Sequence, residues 1–190
     1  VRTGNYVNYG FGGYMLERNG SVTLPKGGHQ QYVYTGKTAG LRDFDGTSGL
    51  EYTTGDMQMT IDFNAFNNGD FTNRNAVSGT VSNRRILDID GTDITSTVIE
   101  AINSKYSVDL TELPTLHYVV APNVMDSAGQ ISGDLNNSVD GDEFEAGKYY
   151  VILSGSGAGK AVGVFVVSSD DPRFDNVTVR ETGGFILVKK

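Results

Sequence analysis

The chain has 190 residues, enough for one well-buried core and short for two domains, and it carries a net charge of -8 with Asp+Glu 23 against Lys+Arg 15. That sign disfavours nucleic acid and anionic membrane surfaces as partners, and the absence of Cys excludes disulfides, thiolate metal sites and cysteine nucleophiles. Gly is abundant at 25 and Pro scarce at 4, the mark of many tight turns. No apolar run approaches the ~20 residues of a membrane helix. Val1 in place of an initiator Met reads as a processed or trimmed start, and export is inferred from it.

In chain order, the first residues are rich in Gly, Asn and Tyr, and 1-29 are expected to form an arm or an added strand, with a short run at Tyr14 to Leu16. Tyr6, Tyr9 and Tyr14 are candidate partner-contacting residues, because exposed Tyr supplies contact area at low entropic cost. Strand-like alternation begins at Gln30 to Thr35 and is cleanest over Met57 to Asn64, where odd positions are apolar and even ones polar. It recurs at Ala76 to Ser82, Arg84 to Ile89, Leu116 to Ala121, Gln130 to Leu135, Lys148 to Ser154, Ala161 to Ser168 and Gly184 to Lys189. Ala76-Val77-Ser78-Gly79 and Gln130-Ile131-Ser132-Gly133 echo each other, so each Gly is expected to relieve crowding where a strand bends.

One segment departs from this texture. Val98, Ile99, Ile102 and Tyr106 fall at helical spacing, predicting a short helix over Thr95 to Tyr106, with Thr97 to Glu100 offering a capping box. Its apolar stripe is expected to pack on the barrel. The pattern as a whole predicts an all-β fold over 30-190, an antiparallel sandwich or barrel with the barrel preferred, and one short helix in an inter-strand insert.

Chemistry is sparse. Ser154-Gly155-Ser156-Gly157-Ala158-Gly159-Lys160 has the look of a phosphate loop, but it has Ser154 where the motif needs Gly and Ala161 where it needs Ser or Thr. A strand-like run follows it where a helix N-terminus is required. It therefore reads as a flexible, solvent-facing hairpin tip. The Asp-Gly segments ending at Gly46, Gly91 and Gly141 lack the leading Asp and terminal Glu of a helix-loop-helix calcium loop and read as turns, with an irregular calcium site as the alternative. No metal site is expected. His29 and His117 are the only histidines, and no nucleophile elbow accompanies them. His117, beside Tyr118, reads either as a wall histidine or as an axial haem ligand.

The segments Tyr32-Val33-Tyr34-Thr35-Gly36, Met59-Thr60-Ile61-Asp62-Phe63 and Val77-Ser78-Gly79-Thr80-Val81 resemble the first barrel strands of the transferrin-binding protein B family. Ala161-Val162-Gly163-Val164-Phe165 and the terminal Gly184-Phe185-Ile186-Leu187-Val188-Lys189 are similar to that family's paired final strands. The resemblance covers most of 30-190. It implies a single antiparallel eight-stranded up-and-down β-barrel, of the kind seen in lipid-anchored outer-membrane proteins such as transferrin receptors, factor H binders and small haem carriers. The chain departs from the family in having no Cys to lipidate, in lacking two-lobe length, and in its helical insert near Val98.

The resulting expectation is a non-enzymatic bacterial binding module, on the outer-membrane surface or secreted, that holds a protein or small ligand through barrel-end loops. His29, Tyr32, His117 and Tyr118 are the candidate ligand contacts and haem the specific ligand to test, with no obligatory cofactor. The alternative is a structural surface protein or adhesin that self-associates through strand edges or its N-terminal arm.

Overall fold

A computed structural model describes residues 4–5, 11–12, 18, 20–25, 31–63, 76–121 and 124–190. Tyr6, Tyr9, Tyr14, the run to Leu16 and His29 lie outside the described residues. Two short strands, β1 (Gly4–Asn5) and β2 (Phe11–Gly12), pair antiparallel. The rest is a closed barrel of eight antiparallel strands: β3 (Gln31–Asp45), β4 (Leu50–Asp62), β5 (Val77–Leu87), β6 (Leu116–Tyr118), β7 (Gln130–Val139), β8 (Asp142–Ser154), β9 (Lys160–Asp170) and β10 (Thr178–Lys189). Each strand pairs with its sequence neighbours, and β10 returns to β3 to close the wall, with Lys189 opposite Tyr34 and Thr178 opposite Asp45. The one α-helix among the described residues, α1 (Thr95–Tyr106), lies between β5 and β6.

The barrel is filled, and its filling is of two kinds. Towards the ends of β3 and β10 marked by Tyr34 and Leu187, the inward positions are apolar: Tyr34, Met57, Met59, Leu116, Tyr118, Ile131, Tyr149, Phe165, Phe185 and Leu187 are all buried. Residues 20–25 lie across this end, where Val22 and Leu24 pack on the core and Thr23 donates its backbone N–H to Gly155 O at 3.3 Å. Towards the other end the inward positions are charged: Arg42, Glu51, Arg84, Glu145 and Glu181. We refer to the two as the apolar end and the ionic end.

The echoing glycines explain how the apolar half closes. A Cβ at Gly79 would press on the Tyr118 ring at 3.1 Å, and one at Gly133 would meet the Tyr149 hydroxyl at 2.8 Å. Tyr118 and Tyr149 stack on each other with centroids 3.9 Å apart, so the two glycines are the floor on either side of one aromatic pair. A reciprocal arrangement joins β9 and β10. Phe185 lies over Gly163 and Phe165 over Gly183, each pair directly opposite in register, so each ring occupies the space a Cβ would take.

Three sequence expectations change. Ala76 to Ser82 and Arg84 to Ile89 are one strand, β5, interrupted by a bulge: Thr54 pairs with Arg85 and Asp56 with Ser82, leaving Asn83 and Arg84 opposite Gly55 alone. The bulge reverses the phase of the alternation, so Val77 and Val81 point inward before it and Arg84 and Ile86 after it. Asn83 takes the left-handed backbone (φ 50) that Asn tolerates better than most residues. Next, the helix starts at Thr95 with Ile94 at the cap and no side-chain cap bond; Thr97 is already inside it, so the Thr97 to Glu100 box is not used. Instead Asp93 Oδ1 accepts the Thr95 N–H at 2.9 Å. Finally, the Gly155 to Gly159 turn is tied down, although Gly155 and Ser156 face solvent as expected. Its 3-10 turn, Ser156–Ala158, buries Ala158, whose carbonyl accepts the Tyr34 hydroxyl at 2.7 Å, and Gly157 O accepts Lys189 Nζ at 2.8 Å. Lys160, at the start of β9, is exposed as expected.

Candidate functional site

The insert between β5 and β6 builds one side of an open concavity. It is pinned first to the end of β5, where the Ile86 N–H donates to Thr95 Oγ1 at 2.9 Å and the Ile94 N–H to Ile86 O at 2.9 Å. Val98 and Ile102 then bury against Ile86, Leu113 and Val139, with Phe144 and Tyr106 packed edge-on at 5.7 Å beside them. Ser107 ends the helix in the left-handed region (φ 56). Asn103 clamps the returning chain with two bonds to Leu110, to its carbonyl at 3.0 Å and from its N–H at 2.8 Å.

Between the start of α1, the returning segment at Thr111 and Glu112, and the outer wall of β3, β4 and β5 lies an open groove of about 960 Å³. The β5 bulge forms its floor, so Gly55, Thr38 and Arg84 of the inner layer are reached from outside. A second hollow of about 490 Å³ continues it along Thr35, Gln58 and Thr80, sharing Lys37, Asp56 and Asn83. The lining alternates charge: Lys37 and Arg85 against Asp56, Asp93 and Glu112, with the hydroxyls of Thr95, Ser96 and Thr111 between. Lys37 Nζ and Asn83 Nδ2 both donate to Asp56, and these bonds, Lys37's first, hold its carboxyl below the ordinary carboxylate range. Arg85 pairs with Asp93 at 3.3 Å in an exposed position.

Below the floor lies the ionic cluster. Arg84 reaches Glu145 and Glu181 at 2.8 Å each through Nη2, and Pro114 O at 3.0 Å through Nη1. Asn137 Nδ2 donates to Glu145 at 2.6 Å and returns the contact by accepting the Glu145 N–H at 2.9 Å. Arg42 donates to Glu51 at 2.6 Å, Arg173 to the other oxygen of Glu51 at 2.7 Å, and Arg173 also forks onto Asp171 at 2.9 and 2.7 Å. Phe44 stacks beneath both Arg42 and Arg173. Desolvation pushes the Glu145 carboxyl up, but the Arg84 charge and bonds pull it further down, so it rests below its ordinary value. Asp171 is lowered in the same way: burial raises it and the bonds from Arg173 outweigh that. The cluster is a rigid, mutually satisfied plug that fixes Arg84 at the groove floor.

Of the residues expected at the site, the three that are described, Tyr32, His117 and Tyr118, do not converge on one site, and His29 lies outside the described residues. Tyr118 points inward and is buried in the Tyr149 stack, and desolvation first, then Tyr149, holds its hydroxyl well above the ordinary phenol range. Tyr32 also faces the core side at the apolar end, edge-on to Phe63 at 5.9 Å with Lys189 Nζ 4.0 Å from its ring centroid. His117 is exposed on the outer wall, between Thr80 and Asn136. The three Asp-Gly segments are turns: Gly46 joins β3 to β4, Gly141 joins β7 to β8, and Asp88 Oδ1 caps the loop at Gly91 through the Asp90 and Thr92 N–H groups. Among the described residues no group of three or more His, Cys, Asp or Glu is placed to hold a metal ion. The groove and the ionic cluster were not anticipated from sequence, although the cluster left a trace: Arg84, Glu145 and Glu181 each stand in the inward phase of their strands.

The fold defined by these elements is a closed, eight-stranded, up-and-down barrel with a filled interior. Among solved structures the chain is similar to transferrin-binding protein B from Haemophilus parasuis Hp5, described there as a vaccine antigen. It matches a single-mutant form at 14% identity and a TM-score of 0.42, covering 88% of this chain and 27% of that one. A double-mutant form of the same protein matches at 16% identity and a TM-score of 0.42, with the same 88% and 27% coverage. Intact Ap-TbpB, with its N and C lobes, is similar at 16% identity and a TM-score of 0.37, covering 88% of this chain and 28% of that one. The chain thus spans about a quarter of the length of the proteins it matches. No protein-family model and no curated protein matches it.

Proposed function

We propose that the chain is a non-enzymatic binding module, displayed on the bacterial outer-membrane surface or secreted, that holds a protein or small ligand in the groove between α1 and the β3–β5 wall. The observation that carries this reading is the filled barrel. Tyr34, Met59, Tyr118, Tyr149, Phe165 and Phe185 occupy one half of the interior and the ion cluster the other, so a ligand has to be held outside. The groove is a concavity on that outer surface among the described residues, built by the loop insert at the ionic end and floored by a bulge. Its alternating cations, carboxylates and hydroxyls suit a polar ligand with donors and acceptors of both kinds, such as a peptide segment. Arg84 acts as a positioning residue, because its guanidinium is committed to Glu145 and Glu181.

The test is amide NMR during titration with peptide and metabolite mixtures. Shifts clustered at Lys37, Gly55, Asn83 and Ser96, and abolished by Ser96→Trp, support the groove. Binding that Ser96→Trp leaves unchanged refutes it. Haem, as a specific ligand through His29 or His117, is judged separately by the Soret band of the titrated protein: an unaltered band, or one that survives His29→Ala with His117→Ala, removes it. Self-association through strand edges has less to work with in a closed wall, since β3 and β10 pair along their length.

A further inference from the structure

The outer wall of the barrel is not uniform around its circumference. Register places Ile152, Val162 and Ile186 side by side on β8, β9 and β10, with Tyr150, Val164, Gly184 and Ala39 in the neighbouring row. Val188 extends the patch towards the apolar end and Val166 towards the ionic end. Ile186 is 63% exposed and Val188 53%, at outward positions that ordinarily carry polar side chains. Many outward positions elsewhere follow that rule, such as Gln58 and Thr60 on β4, Ser78 and Thr80 on β5, Ser132 and Asp134 on β7, whereas Tyr52 on β4, beside Leu41 and Leu87 in register, is 40% exposed.

Lysines frame the patch. Lys37 stands opposite Ile186, Lys160 opposite Val188, Lys148 opposite Val166, and Lys190 follows β10 with its backbone N–H on Val33 O at 2.9 Å. Lys37 and Lys148 pair with Asp56 and Asp134, each one strand farther round. Lys160 and Lys190 have no carboxylate within ion-pair distance among the described residues. The acidic surplus lies elsewhere: Asp90, Glu100, Asp109, Asp140, Asp142 and Asp175 are all exposed at the ionic end and its insert.

We propose that this wall docks on the surface of an anionic lipid bilayer. The chain's net charge of -8 opposes such an approach if it is spread evenly, but the exposed carboxylates named above lie at the ionic end, with Asp126 and Asp134 exposed on the β7 side nearer the apolar end. Screening over about 8 Å isolates that end from a surface touching the lysines. Three properties favour lipid over a protein partner. Four strands about 4.8 Å apart and about six residues at ~3.3 Å make a patch of roughly 400 Å², about half of the ~800 Å² per partner typical of stable protein interfaces. The wall is convex, and a fluid interface conforms to a convex surface where a rigid one does not. An aliphatic centre with a lysine rim is the pattern of interfacial anchoring, whereas protein interfaces favour Arg and aromatic residues and deplete Lys.

Flotation with phosphatidylcholine vesicles, with and without phosphatidylglycerol, tests the assignment. The protein is expected to float with the anionic vesicles only, and to be released by salt. Each lysine near an anionic surface is worth about fivefold in partitioning, so Lys160→Glu with Lys190→Glu weakens flotation by at least ~25-fold. Ile186→Ser with Val188→Ser weakens it as well while leaving the melting temperature in place, since both side chains face solvent, and Gln58→Ala on the polar wall leaves it unchanged. Absence of flotation at low salt, or flotation indifferent to both double variants, overturns the proposal. So does a dimer in light scattering that Ile186→Ser with Val188→Ser dissolves without any vesicle binding, which assigns the patch to a second copy.

Discussion

Replacing Arg84 with Met keeps the length and apolar stem of the side chain and removes only the charge and its four donated bonds, two to Glu145, one to Glu181 and one to Pro114 O. Both carboxylates are almost fully enclosed, with side-chain exposure of 8% and 5%, and Asn137 is the remaining side-chain donor to Glu145. Removing one partner of a buried ion pair costs about 3–5 kcal/mol, because the charge left behind stays desolvated. At about 3 °C per kcal/mol for a chain of this size, that is a fall in Tm of roughly 9–15 °C. The sign with pH is distinctive. In Arg84→Met only the Asn137 bond and the Arg42 charge still oppose the desolvation of Glu145, which is expected to raise its folded pKa above the unfolded one, so the penalty is full at neutral pH and shrinks as pH falls and the carboxyl is protonated. Urea denaturation followed by far-ultraviolet circular dichroism at several pH values reads this directly. Arg84→Met combined with Glu145→Gln and Glu181→Gln is expected to recover much of the loss. A single variant within about 1 kcal/mol of the parent at neutral pH, a pH-independent difference, or a triple variant no better than the single would refute the reasoning.

The parent protein itself should resist mild acid. Glu145 and Asp171 have folded pKa values below their unfolded ones, so their contribution is present above the unfolded pKa of about 4 and is lost only as pH falls through the lower folded values. Acid unfolding followed by circular dichroism is expected to begin below that point, and an onset between neutral pH and pH ~6 contradicts the cluster as described. Gly163→Ala sets a methyl group into the Phe185 ring across the strand, an overpacking expected to cost about 1–3 kcal/mol in a thermal melt. Gly163→Ala with Phe185→Leu should recover part of that loss, and a neutral single variant argues against the ring lying over the glycine.

The sequence made the apolar half of the barrel legible and hid the ionic half, for one physical reason. Alternation is visible when inward residues are apolar, as in Met57, Met59 and Ile61 of β4. At the ionic end the same phase is filled by Thr38, Gly40 and Arg42 on β3 and by Glu51, Thr53 and Gly55 on β4, so those stretches read as polar loop although they are strand. The helix was legible in both extent and stripe because Val98 and Ile102 need a partner face, but its cap was not, since Asp93 bonds the Thr95 N–H from a residue bridged to Leu87 outside the helix. β6 stops at Tyr118, where Val119 and Val120 are exposed in succession and the expected run to Ala121 ends. The groove combines a bulge, a helix start and a returning loop, which meet only in the fold.

The pairing of β10 with β3 also sets the order in which the molecule can be completed. Lys189 meets Tyr34 and Thr178 meets Asp45, so the wall joins the two extremes of the described barrel, and that contact forms only after nearly the whole chain is in place. Loop closure of that length makes such pairings slow to reach. Until then β3 and β9 each present a bare edge flanked by Val33 and Val162, the kind of template that recruits other chains. The final strand is therefore a kinetic latch: loss of β10 would leave both edges bare and divert folding towards aggregation.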